Sequence, residues 1–183
     1  MEIMNQNTDD SKEILVYKIV ALISGIVMAL SFGYGIYEMF LEYITTGSFV
    51  IGAAMVSIEF PYKYFAKPVT YFAVSLVVFW YSTMHLIHKK IISLDKEIKA
   101  LLSIIALGIA YISGYELLYN FMVWNAIVVT QMFKGNINID QAIIGYPDPH
   151  LPWNLVFATK LFSAIFVVAL YTLYYLSKKT KTE

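Results

Sequence analysis

Four stretches of the chain are apolar for about the length of helix, roughly 20 residues, that crosses a hydrocarbon core of about 30 Å. They run over about residues 14–40, 70–88, 100–125 and 154–177. Each is long and apolar all round. Polar and apolar residues do not alternate as they would in barrel strands, and in lipid only helices or closed barrels satisfy the backbone. The pattern predicts an all-α integral membrane four-helix bundle, a single membrane domain over residues 1–183. Two long connections, about residues 41–69 and 126–153, join the helices at one end. The short "KKIISLDKEIK" joins the second and third helices at the other and should make them neighbours.

Lysine placement orients the bundle. Lys12, Lys18, Lys89, Lys90, Lys96, Lys99, Lys178, Lys179 and Lys181 lie at the end shared by both termini. Lys63, Lys67, Lys134 and Lys160 lie at the other. Positive residues collect on the cytoplasmic side, so the expectation is a multi-pass cell-membrane protein with both termini in the cytoplasm and both long loops outside. The polar, acidic start "MEIMNQNTDDSKE" lacks the basic opening and cleavage pattern of a signal peptide, so the first helix is expected to stay in the mature protein.

The two halves echo each other. "ALSFGYGIYEMF" (29–40) and "AYISGYELLYNF" (110–121) share Ala, Gly-Tyr and Phe in register. "FAVSLVVFWYSTMHLIHK" (72–89) and "FSAIFVVALYTLYYLSK" (162–178) match more loosely. A duplicated helical hairpin, helix–long loop–helix in each half, and chance likeness between aromatic membrane helices both account for this.

Composition agrees with lipid as the solvent. The chain is 59% hydrophobic and only 14% charged, with a mean hydropathy of +0.64, against about 25% charged residues in an ordinary soluble domain. There is no cysteine, which excludes disulfides and thiolate metal sites. Net charge is zero and every basic residue is lysine. A nucleic-acid partner therefore has no electrostatic support, and bidentate arginine recognition is absent.

Few charges interrupt the apolar runs, and they fall at one height. Counting from Lys18 to Glu38, from Lys99 to Glu116 and from Lys178 back to Lys160 gives about 26–30 Å of helix each time. The three charges therefore form a polar layer at the outer interface, short of the bilayer centre where a carboxylate costs several kcal/mol. Glu42 lies one turn above Glu38, and Asn120 one turn beyond Glu116. Small and polar stripes accompany them: Ser31, Gly35, Glu38 and Glu42; Ser113, Glu116 and Asn120; Lys160, Ser163, Ala164 and Val167. A Glu116–Lys160 ion pair is the least costly arrangement. Such a layer either fixes helix register, or binds a cation, proton or ligand, or leads the charges to water.

The three histidines divide between the two ends. His85 and His88 are one turn apart near the inner end of the second helix, where Asp95 or Glu97 could complete a metal site; their bland role is interfacial, beside Lys89. His150, with Asp148 and one of Glu38, Glu42 or Glu59, could form an outer metal site. No phosphate loop, nucleophile–base set or H-E-x-x-H helix is present, and no cofactor is expected. The third run also continues without charge through "LLYNFMVWNAIVVTQMF" (117–133), and residues 43–65 add a second apolar outer segment. A continuous helix over residues 100–133 would measure about 51 Å, so it must tilt, break or project. Apolar surface outside the bilayer is covered by the other loop or by a partner.

"YPDPHLPWNLVFATK" (146–160) is similar to stretches of uncharacterised archaeal four-helix membrane proteins. In size, helix count and character the chain resembles small accessory membrane subunits of archaeal ammonia-monooxygenase-type complexes. That resemblance implies a non-catalytic subunit of a copper monooxygenase or a respiratory assembly, with membrane lipid and other membrane subunits as partners. It carries over no functional residue. Two readings from other classes stand beside it: a small oligomeric transporter or channel built on the Glu38–Glu116–Lys160 layer, and an outer-face metal or redox enzyme.

Overall fold

The computed structural model describes residues 2–59, 66–133, 135, 143–145 and 152–177. Among these residues four helices are long and apolar enough to cross a membrane, over Lys12–Thr46, Pro68–Leu86, Lys96–Thr130 and Leu155–Ser177. They belong to α1 (Glu2–Thr46), α3 (Pro68–Leu86), α5 (Lys96–Phe133) and α6 (Leu155–Ser177), with short helices α2 (Ala54–Ser57) and α4 (His88–Ile92) in the connections. Several serines and threonines within the spans return their hydroxyls to carbonyls one turn back, as Ser24 does to Val20 (2.6 Å) and Ser113 to Ile109 (2.6 Å), whereas Ser82 Oγ is buried with no hydrogen-bond partner among the described residues. The hydroxyls bonded in this way enter an apolar medium already satisfied.

Two helices are longer than their expected spans. α1 continues through the polar start of the chain, and α5 runs unbroken to Phe133. The second span has its expected length but lies two residues earlier: α3 starts at Pro68 and ends at Leu86, Ile87 leaves the helical register, and α4 starts at His88. α6 begins where the sequence places it, because Asn154 caps it. Asn154 Oδ1 accepts hydrogen bonds from the backbone N–H of Val156 (3.0 Å) and Phe157 (3.1 Å).

The helices stand in an open row, α1–α3–α6–α5. α1 packs along α3, α3 along α6, and α6 along α5. The expectation that the second and third helices are direct neighbours is corrected: α6 lies between α3 and α5. The short connection permits this because α4 adds a helical turn and Lys99 Nζ reaches back to the carbonyl of Ile92 (2.7 Å). Close approach relies on glycine. A Cβ at Gly25 would lie 3.3 Å from the Phe79 ring, and one at Gly114 would lie 3.1 Å from Phe166.

At the loop side the first connection touches the last strand of the second, while the end of α5 stays exposed. Strand β1 (Ile143–Gly145) pairs antiparallel with β2 (Pro152–Asn154), and Ile51 bridges to Trp153, with Asn154 N donating to Ile51 O at 3.0 Å. Beneath them Met55, Val56 and Val69 form a buried cluster with Phe72, Val156 and Phe157. Gly52 makes this docking feasible. Its φ is +80°, and an added Cβ would sit 2.1 Å from Phe157 Cγ.

Candidate functional site

The polar layer is divided by the order of the row. On α6, Lys160 Nζ donates to Thr70 Oγ1 of α3 at 2.8 Å. The stripe Lys160, Ser163, Ala164 and Val167 faces Thr70, Ala73, Val74 and Val77 across a groove of about 410 Å³. This stripe lines the α3–α6 groove, and α6 also packs along α5, the helix that carries Glu116. On α1, Glu38 and Glu42 are half-buried and share a separate 530 Å³ pocket with Thr45, Ala53 and Ser57. α3 stands between α1 and α6, so the Glu38 and Lys160 helices are not adjacent.

On α5, Glu116 is half-buried, and Asn120 is fully buried on the side that meets α6. Ser113, one turn before Glu116, is also buried. Trp124 Nε1 donates to Thr159 Oγ1 at 3.3 Å and ties the same part of α5 to α6. The stripe Ser113, Glu116 and Asn120 therefore lies along a packed helix pair, as its spacing implied. Tyr34 contributes a further polar group. Its hydroxyl is buried and has no hydrogen-bond partner among the described residues, and with Glu38 it lines a 730 Å³ cavity between α1 and α3.

The inner histidines sit in an aromatic cluster at the end shared by the termini. His85 stacks on Tyr17 of α1 with ring centroids 4.4 Å apart and planes 13° from parallel. It also contacts Tyr81 (4.7 Å) and meets Tyr175 of α6 edge-on (5.8 Å). His88 meets Tyr175 at 5.2 Å, and Tyr81 meets Tyr171 at 5.2 Å. These contacts join α1, α3, α4 and α6 in one layer of rings, each aromatic pair contributing about 0.5–1.5 kcal/mol. His85 and His88 fall on two helices separated by Ile87, so they do not occupy one face of one helix as their spacing suggested. Among the described residues, no group of three or more His, Asp or Glu side chains is placed to hold a metal ion. Glu59 is half-buried in the first connection. Asp148 and His150 lie outside the described residues, and so does any site they would complete.

Sequence reasoning found the charges but missed their surroundings. Thr70 was not singled out, and neither were Tyr17, Tyr81, Tyr171 and Tyr175. The 90-residue spacing of the second echo was the usable signal, since Thr70 with Lys160 and Tyr81 with Tyr171 are both 90 residues apart. Comparisons with protein-family models, with curated proteins and with solved structures return no match for this chain.

Proposed function

We propose that the chain is a non-catalytic subunit of a larger membrane assembly and that α5 presents the face on which a partner docks. The observation that carries this reading is an apolar stripe on α5. Leu118, Met122, Val129 and Phe133 follow one another at helical spacing, all exposed, with Met122 70% and Phe133 89% accessible. With 38 residues α5 is about 22 Å longer than the 23-residue α6 against which it packs. Its own length of about 57 Å well exceeds the roughly 30 Å of hydrocarbon. Lipid covers the middle of such a helix, and an exposed apolar continuation beyond it calls for protein. The resemblance to accessory subunits directs the search for that protein to copper-monooxygenase-type and respiratory assemblies.

The lysine distribution supports cytoplasmic termini. Three contacts support the duplicated hairpin. Under the 90-residue spacing of the second echo, Thr70 corresponds to Lys160, Tyr81 to Tyr171 and His85 to Tyr175, and each residue touches its own equivalent. That is the signature of an isologous contact about a two-fold axis. The order α1–α3–α6–α5 has the same symmetry.

Purification from native membranes in mild detergent tests the subunit reading. The expected result is co-isolation with the same membrane proteins in a fixed ratio through successive columns. A monodisperse protein running alone at its own 20.9 kDa plus detergent overturns it.

A further inference from the structure

The row leaves a groove of about 640 Å³ between α3 and α5, with α6 as its floor and α4 across the end near the termini. Its volume lies within the roughly 300–1,000 Å³ of ordinary ligand sites. The walls are hydrocarbon, aromatic and small side chains, with Trp80 on one flank and the buried Ala106 and Ala169 facing the space. Trp80 Nε1 donates to Thr172 Oγ1 at 2.8 Å, so the two polar atoms of the wall satisfy each other. The groove extends along α3 and the residue after it from Leu76 to Ile87, about 16 Å, which is the depth of one leaflet. The charged group in the lining is Lys90, at the end where headgroups lie. Lys99 is engaged with the Ile92 carbonyl and holds α4 in place across that end.

A leaflet-deep apolar slot closed by one ammonium fits a molecule with a hydrocarbon tail and an anionic head. We infer that this groove is a binding site for an anionic phospholipid from the leaflet on the side of the termini, one chain between α3 and α5 and its phosphate on Lys90. Small residues at 106 and 169 leave room for the chain, and Lys90 selects the head.

The test reconstitutes the full-length protein into vesicles of equimolar phosphatidylglycerol and phosphatidylcholine. The protein is then extracted in mild detergent, and retained lipid is counted by native mass spectrometry. The parent should retain one phosphatidylglycerol per chain, preferred over phosphatidylcholine by roughly fivefold, the effect of one lysine near a lipid headgroup. Lys90→Gln should abolish the preference, whereas Lys89→Gln, outside the groove, should leave it intact. Ala169→Phe should remove retention of both lipids, and Ala106→Phe provides the same blockade from the other wall. Equal retention of the two lipids by the parent overturns the assignment. So does equal loss in the two lysine variants, or undiminished retention when the groove is filled from both sides.

Discussion

Replacing Gly52 with alanine perturbs the point where the first connection docks on α6. The backbone there has φ +80°, a conformation that costs an L-residue about 1–2 kcal/mol. The new Cβ would lie 2.1 Å from Phe157 Cγ, 2.4 Å from Cδ1 and 2.5 Å from Cβ. These atoms are the root of the side chain, so rotation of the ring does not relieve the overlap, and overpacking of this kind costs roughly 1–3 kcal/mol. Together the two effects predict about 2–5 kcal/mol, which at 1.4 kcal/mol per decade raises the open population of the loop-side cap roughly 30-fold or more. The chain has no native cysteine, so Val56→Cys, at a position with no solvent exposure beneath the cap, is a clean reporter. Labelling by a membrane-impermeant maleimide should accelerate by that factor in the Gly52→Ala variant. In a Phe157→Ala background, which removes Cγ and Cδ1 but keeps the Cβ at 2.5 Å, the added cost should fall towards the backbone contribution of about 1–2 kcal/mol without reaching it. A labelling rate within threefold of the parent, or an equal cost in both backgrounds, would show that the cap is not docked through this contact.

Other predictions concern the helix contacts. Thr70→Val and Lys160→Met should couple by about 1.5–3 kcal/mol in a double-mutant cycle of unfolding, the value of a hydrogen bond to a charged group; additivity would break the α3–α6 link. A Glu116→Ala, Lys160→Ala cycle should couple by more than about 0.5 kcal/mol if the two charges meet, and smaller coupling rules the pair out. Asn154→Ala removes the cap of α6 and should cost about 1 kcal/mol of helix stability, while Asn154→Asp should not. Gly114→Leu forces a side chain towards Phe166, where a Cβ alone is already at 3.1 Å, and should cost about 1–3 kcal/mol and loosen α5 from α6.

The four spans were legible because lipid demands a run of fixed length, and a lysine-flanked apolar stretch satisfies it visibly. The order of the helices was not. Apart from short polar stripes, α1, α3, α5 and α6 are apolar on every side, so hydropathy does not rank the neighbours, and a short connection is compatible with α6 intervening between α3 and α5. The extent of α5 was half legible. The uncharged run to residue 133 was plain, but nothing in it distinguishes a straight helix from a broken one. The end of α3 at Leu86 was hidden because neither glycine nor proline marks it. Lys160 drew notice as a lone charge, whereas Thr70 is one hydroxyl among many, and only the 90-residue register connects them. The role of Gly52 depends on Phe157, more than 100 positions away, and local pattern does not carry such a pairing.

Site-specific photo-crosslinking in native membranes tests the proposed docking face of α5 most directly. A photoreactive phenylalanine analogue is placed in turn at Met122, Val129 and Phe133, three exposed positions of the stripe. The predicted result is one protein adduct of the same mass from all three positions, identified by mass spectrometry as a single membrane partner. Lipid adducts alone, or no adduct at any of the three, would contradict the account.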